Sequence, residues 1–581
     1  YCEQYINWTS EEDGSRIVTI GDNSKAGNSV LQQVLTKILE SGGVVGFNYH
    51  CHQANSQTLV NNWGGQWGTI LASETSSHTN SRGRYQSLNS NTSIDGAYHL
   101  TSYDSSSVSW GDPGHDSMWD TLTKDYIAGE FVWTGFDYIG EPTPWNGTGT
   151  GDNGRGAIPN SSYFGIVETT GFPKDTYYLY RAQWNQAANT VHLVTAWDSD
   201  NQYVSGGKTP VWVYTNAAQV KLYLNGDLIG TTNRTVNTTA AGHTYYTYAA
   251  TSNNANVCTA AANSGADSLY TIFNVAYTAG TLTAASYDES GSLMDTYSVY
   301  TPGTVTKLKA SADKTEIDAN GYDLVYVEVD VTDDSGILDT TASNNITFTV
   351  SGPAEIAGVD NGDQATVRKY QNSYVLTDRQ HANINAYAGK ALVILRATEE
   401  GGEITLNIAS NGLEGQTITI TAEGGSGSDN EGLVSYEMVR DYTVMAGTAP
   451  ELETAVTGYL ADGSTVEGTI AWNEVSEELY GTAGDHTITG IASFDGYADV
   501  KVSARLHVIP NVVALRNVAA ATMEGQTPVL PGFVSGVLAD GTLAGEFAVE
   551  WDEVDASEFD TVGEIVTITG TAVVFAEETR E

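Results

Sequence analysis

Basic residues are scarce in this chain. Among 581 residues, 25 Lys and Arg face 71 Asp and Glu, a formal net charge of −46. Nucleic acid and anionic membrane surfaces are bound by clustered cations, so this balance argues against both as partners. Cysteine is nearly absent as well. Cys2, Cys51 and Cys258 are too few and too far apart for a disulfide framework and form no CxxC pair, so cysteine does not fix the compartment. No run of 18 or more apolar residues occurs, which argues against a membrane-spanning helix. No secretory leader is evident, and the chain opens at Tyr1 without methionine, so its start reads as a cut inside a longer protein.

What is present points to folded domains. Hydrophobic residues make up 40%, with 12 Trp, 33 Tyr and 12 Phe, ample for buried cores and unlike an acidic disordered chain. At roughly 100–200 residues per domain, the length predicts about four domains. Only 17% of residues are charged and 61 are Gly, which favours short strands joined by turns.

The first 190 residues alternate strand-like and helix-like runs. Arg16–Ile20 is β-branched and ends at Gly21-Asp22-Asn23. Leu31, Val34, Leu35, Ile38 and Leu39 then form one apolar helix face, with Gly42 as its stop. Val44–Tyr49 reads as a buried strand, Asn55–Asn62 as a polar helix and Thr69–Ser73 as a strand. A helical segment at Met118–Ile127 leads into a strand at Glu130–Thr134. Such alternation predicts parallel βα units. Polar and aromatic residues (Asp22-Asn23, Asn48-Tyr49, Glu74, Trp133) close each strand, where (β/α)8 barrels carry their active sites; an open parallel sheet is the alternative.

Beyond Val191 the pattern becomes two-residue alternation, as in Val211–Tyr214, Val220–Leu224, Val325–Val331, Ile346–Val350 and Thr417–Thr421. With Asn225-Gly226-Asp227 as a turn, this predicts β-sandwiches. Thr301-Pro302-Gly303 marks a boundary and 424–430 a Gly/Ser linker. A repeat follows: Leu460-Ala461-Asp462-Gly463-Ser464 returns as Leu538-Ala539-Asp540-Gly541-Thr542, an offset of 78. Trp472-Asn473-Glu474-Val475 returns at Trp551, and Thr487-Ile488-Thr489-Gly490 at Thr567. These are two copies of one small β-domain. From Glu431 onward the only basic residues are Arg440, Lys501, Arg505, Arg516 and Arg580, which reads as a solvated acidic surface.

Two segments could carry chemistry. In Gly129–Trp145, GEFVWTGFDYIGEPTPW, Trp133 at a strand end offers a face on which a sugar ring can stack; a core tryptophan is the other reading. In Leu71–Ser77, LASETSS, Glu74 closes a strand among small residues, as a covalent nucleophile would, or as a surface or capping residue would. His50-Cys51-His52 lacks a distant ligand pair, and its adjacent side chains point to opposite sides, so no metal site is predicted.

Together these segments resemble family 2 glycoside hydrolases of the large multidomain β-galactosidase type. GEFVWTGFDYIGEPTPW is similar to the family's strand 8 segment, SETSS to its nucleophile motif, VVGFNY to strand 6 and RIVTIGDN to strand 5. The segment from Tyr163 through Trp184 is similar to the end of the family's barrel. The resemblance implies a multidomain fold: residues 1–190 as the C-terminal half of a (β/α)8 TIM barrel (strands 5–8), then all-β sandwiches. Those sandwiches are 191–303, 304–423 of the family 2 C-terminal type and, after the linker, bacterial immunoglobulin-like repeats at 431–509 and 510–581.

The resemblance implies a retaining hydrolase of terminal β-galactosides acting by double displacement, secreted or at the bacterial cell surface. Glu74 would be the nucleophile and Tyr49 would donate a hydrogen bond that orients it. Trp133 would floor the sugar subsite, with Asn48, Asp137 and Trp145 as further substrate contacts; Asp137 also reads as a buried structural partner. No organic cofactor is implied, and a structural metal ion is not indicated.

Lys174 invites comparison with a uronate-binding lysine, but the family's Asn-x-Lys pattern is absent, so a neutral sugar is expected. The acid/base Glu follows Asn after strand 4 in this family, whereas Glu3 follows Cys in a helix-like segment. The acid/base, strands 1–4 and the N-terminal domains are therefore expected upstream of Tyr1, leaving this chain with little activity alone. The alternatives are a glycan- or cell-wall-binding display module, or a family 2 enzyme for another neutral glycoside.

Overall fold

The structure, a computed structural model, describes residues 1–12, 16–51, 56–88, 93–94, 97–145, 159, 161–366, 379–423, 433–436, 442–460, 464–497, 499–520, 522–528, 530–531, 533–539, 543–562, 565–575 and 578–580. The expected linker at 424–430, His52, Asn55, Glu431, Arg440 and the repeat residues 461–463 and 540–542 lie outside the described residues. The chain divides into two units, Tyr1–Gly425 and Ser426–Glu581.

The first unit opens with helix α1 (Cys2–Glu12), strand β1 (Thr19–Asp22), helix α2 (Ser29–Glu40) and strand β2 (Val44–Asn48). Helix α3 (Ser56–Trp63), strand β3 (Ile70–Ser76), helix α4 (Gly114–Thr123), strand β4 (Ile127–Trp133) and helix α5 (Asp175–Trp184) follow. The four strands lie in chain order and pair in parallel, as strand–helix alternation predicts. Helix α2 forms where its apolar stripe was read. Asn28 caps it by accepting from the Val30 and Leu31 amides, and Gly42 past its end takes φ +79°.

Leu35 and Ile38 of this helix pack with Leu59 and Val60 of α3 against Val45, Phe47, Ile70, Ala72 and Ile127 of the sheet. The expected strand Arg16–Ile20 shifts to Thr19–Asp22, because parallel pairing starts only where Thr19 meets Val44. Asp22 ends the strand by taking the Ser24 and Ala26 amides on its carboxylate. The helix expected over Met118–Ile127 spans Gly114–Thr123, since Ile127 is already in β4 and pairs with Ile70.

The opposite face of the sheet is tight. A Cβ on Gly46 would sit 2.6 Å from the Ile20 carbonyl oxygen and 2.7 Å from Ser73 Oγ. A side chain there would displace Ser73, which donates to Asn48 Oδ1 at 2.8 Å.

The remainder of the unit is antiparallel apart from two parallel pairings with Leu413–Glu423. Between 191 and 300, a four-stranded and a five-stranded sheet share a core of Val211, Val213, Leu222, Phe273 and Leu282. The Asn225-Gly226 turn joins Gln219–Leu224 to Asp227–Thr238 with φ of +52° and +90°, the left-handed pair a two-residue hairpin requires. Residues 305–423 form nine strands around alternating Val325, Val327, Val329 and Val331.

The second unit holds a six-stranded and a five-stranded sheet. Matching contacts recur in the two copies. Trp472 Nε1 donates to the Glu453 carbonyl at 2.8 Å, and Trp551 Nε1 to that of Pro531 at 2.7 Å. Ala492 pairs with Val500 in one copy, and Ala572 with Arg580 in the other.

Candidate active site

The ends of β2, β3 and β4 bring together most of the residues singled out in the sequence. Asn48 lies opposite Glu74 in the register, and the Tyr49 amide donates to the Glu74 carbonyl at 2.7 Å. Tyr49 takes φ +63°, so the chain turns as β2 ends. Glu74 is half-buried and Tyr49 is buried.

Hydroxyl order at this point matters. Ser77 Oγ donates to the Tyr49 phenolic oxygen at 3.1 Å, which leaves the phenol proton to be given elsewhere. Burial raises the Tyr49 pKa above the ordinary tyrosine value. The Ser77 bond acts against this, while a hydrogen bond to Glu74 and its charge add to it. The phenol therefore stays protonated, with its proton free to be given toward the Glu74 carboxylate.

The segment after Glu74 is locked by buried hydroxyls. Thr75 Oγ1 donates to Glu130 Oε2 at 2.8 Å, Ser76 Oγ bonds His78 Nδ1 at 2.9 Å, and the Ser76 amide donates to Ser117 Oγ at 3.1 Å.

Trp133, half-buried at the end of β4, donates from Nε1 to the Tyr138 hydroxyl at 3.2 Å and meets that ring edge-on, centroids 5.9 Å apart. Tyr138 in turn donates to Glu141 Oε2. Burial raises the Tyr138 pKa, the Glu141 hydrogen bond adds to it, and the Glu74 charge contributes at the end of the series. Tyr138, Glu141 and Ser77 thus join the site. Tyr138 and Glu141 stand inside the GFDYIGEPTPW motif but carry no spacing signal of their own; Ser77 follows the nucleophile motif and is distinguished only by its contact.

Two of the expected substrate contacts are buried. Asp137 is fully buried: its Oδ2 meets Lys174 Nζ at 2.8 Å and Gln364 Nε2 at 2.9 Å, and its Oδ1 takes the Gly165 amide at 2.8 Å. It is a buried structural partner with no face left for a sugar. Burial raises its pKa despite Lys174 beside it. Trp145 is only 8% exposed and packs among Tyr98, Leu100, Tyr163 and Ala365. Lys174 is enclosed too, held by Asp137 and by the Asn80 and Tyr163 carbonyls at 3.1 and 3.3 Å. Of the His-Cys-His run, His50 bonds the Asn23 carbonyl at 2.9 Å, and Cys51 is buried, its thiol pushed up to about 12 by burial.

Residues 308–419 match the glycoside hydrolase family 2 C-terminal domain 5, and residues 206–294 match a domain of unknown function, DUF4982. A β-galactosidase of Bacteroides ovatus is 28% identical over 433 residues, 72% of this chain and 43% of that protein. A β-glucuronidase of Formosa agariphila is 24% identical over 258 residues, 44% of this chain and 22% of that protein. A β-glycosidase structure from Bacteroides vulgatus superposes with a TM-score of 0.52 at 21% identity, covering 72% of this chain and 48% of that one. The chain carries a glycoside hydrolase family 2 C-terminal domain and is similar to members of that family. Within that family it is similar to β-galactosidases and β-glucuronidases, and it spans less than half the length of the curated relatives it matches.

Proposed function

We propose that this chain is the C-terminal part of a retaining glycosidase that cleaves terminal β-galactosides by double displacement, with Glu74 as nucleophile. In this reading the four parallel strands are strands 5–8 of a (β/α)8 barrel. The other strands and the acid/base carboxyl are supplied by polypeptide outside these 581 residues.

The observation that carries the proposal is Glu74 near the C-terminal end of a parallel strand, paired in register with Asn48 and beside Tyr49, whose hydroxyl is held by Ser77. A phenol proton given to the carboxylate would aim it for attack. Its attack forms the C1–O bond of a glycosyl-enzyme as the bond to the departing oxygen breaks. Water then releases the sugar. Trp133 floors the subsite, and Asn48, its Oδ1 engaged by Ser73, has an NH2 group that no described residue takes, available to a sugar hydroxyl.

The mechanism needs a second carboxyl about 5–5.5 Å from the first. Glu3 does not qualify: it lies on α1 with its carboxylate 3.0 Å from Lys37 Nζ on the helical layer. Enclosure of Lys174 supports a neutral sugar over a uronic acid, since its ammonium is consumed by Asp137 and two carbonyls. The β-domains of the second unit fit an enzyme exported to the cell exterior.

The test is covalent trapping with 2,4-dinitrophenyl 2-deoxy-2-fluoro-β-galactoside, whose leaving group departs without a proton. This avoids the roughly 10²–10⁴-fold that acid catalysis supplies. The expected result is one fluorogalactosyl group on the peptide containing Glu74, abolished by Glu74→Gln. Label on another residue, or labelling only by the corresponding glucuronide, overturns the proposal.

A further inference from the structure

We propose that Gln364, supplied by the sandwich domain 230 residues past the parallel sheet, is a positioning residue that clamps the Glu74 segment to the Trp133 segment. The proposal rests on the glycosidase reading above.

Gln364 is 2% exposed. Its Nε2 donates to the Asn80 carbonyl at 2.8 Å and to Asp137 Oδ2 at 2.9 Å. Asn80 belongs to the run that follows Glu74, and Asp137 to the run that follows Trp133. Lys174 Nζ reaches the same two acceptors from a third segment. One amide and one ammonium therefore fix the spacing between the two runs.

Gln364 itself is held by an organised loop. The Asp363 amide donates to Asn361 Oδ1 at 3.0 Å, and the Ala365 amide to Asp363 Oδ1 at 2.9 Å. The loop is docked by Arg82, which donates to the Asn361 and Tyr387 carbonyls at 3.2 and 3.1 Å, and by His99 against Asp363 at 2.8 Å. Gly362, at φ +74°, lies so close to Glu168 that a Cβ would fall 2.0 Å from its Oε2. Arg82 pairs with that same carboxylate at 2.8 Å.

The choice of residue also argues for a clamp. Gln364 Oε1 is buried and meets no donor among the described residues. A leucine would fill the space without an unpaired oxygen, so a purely space-filling role does not account for a glutamine. Its two N–H groups account for it.

Gln364→Leu and Gln364→Met remove the clamp at nearly constant volume. Thr169→Val is the control: it deletes a different bond between the same two regions, Thr169 Oγ1 to Asp360 Oδ2 at 2.7 Å. Two readouts are taken on the full chain. Amide hydrogen exchange across 74–82 and 133–138 is expected to quicken about tenfold in the Gln364 variants and stay unchanged in the control. Trapping of Glu74 is expected to slow by up to about 10²-fold, through the rate of covalent capture and not through reagent affinity. Unchanged local exchange in both Gln364 variants overturns the proposal, as does lost protection spread evenly over the whole Tyr1–Gly425 unit. Failure of the wild type to capture the reagent counts against the glycosidase reading, and the exchange comparison still decides the role of Gln364.

Discussion

His78 stands four residues after Glu74, fully buried, with Nδ1 on Ser76 Oγ. Burial, reinforced by the charge of Lys174 and opposed by that of Asp104, lowers its pKa from 6.5 to about 4. The folded state thus holds a neutral imidazole where the unfolded chain takes up a proton. Stability from this residue is complete above pH 6.5 and is lost as pH falls toward 4, by about 3 kcal/mol. Urea unfolding of the Tyr1–Gly425 unit at pH 7 and pH 4 should show the loss, and His78→Asn should make the unit less sensitive to acid than the wild type. Equal acid sensitivity would mean that His78 is not held neutral. That Glu74, Tyr49, Asn48 and Trp133 stand together at the ends of β2, β3 and β4 was legible, because each closes a strand in a recognisable motif. The burial of Asp137 and Trp145 was not legible, because a motif does not say which of its side chains turn inward. Lys174 and Gln364 fix it for Asp137, and Tyr98, Leu100, Tyr163 and Ala365 for Trp145.

At the scale of elements, strands and helices of the parallel sheet were legible where periodicity was strong. The stripe of Leu31, Leu35 and Ile38 and the Asn225-Gly226 turn are examples, each dictated by local chemistry. Strand ends were less legible: β1 begins three residues late because its partner Val44, not its own composition, sets where pairing starts. The same tight pairing makes the sheet intolerant at Gly46. Gly46→Ala would press a methyl against the Ile20 carbonyl, which cannot move without breaking the register of β1 on β2. Overpacking of this kind costs about 1–3 kcal/mol, so the melting temperature should fall by several degrees. Because the same methyl meets Ser73, which donates to Asn48, trapping at Glu74 should weaken as well. A variant with wild-type melting and trapping would show that the sheet has slack.

The whole molecule divides at Gly425, and each unit has hydrophobic clusters of its own. A chain ending at Gly425 is therefore expected to keep the melting transition and the Glu74 trapping of the full chain, measured by calorimetry and by mass. Loss of either would show that the second unit supports the first. The same cannot hold for a cut before the sandwich of residues 305–423, which supplies Gln364 and the loop that Arg82 grips.

That arrangement also sets an order in time. Gln364 is synthesised 284 residues after Asn80, about 15–60 s later at 5–20 residues per second. During that interval the ribosome has already released the Glu74 strand, while Arg82 and the Asn80 carbonyl still lack the sandwich partners they acquire in the finished protein. The end of the sheet that carries Glu74 therefore matures only after the sandwich domain has been translated and has folded onto it, so a nascent chain carries Glu74 well before the surroundings of that residue are complete.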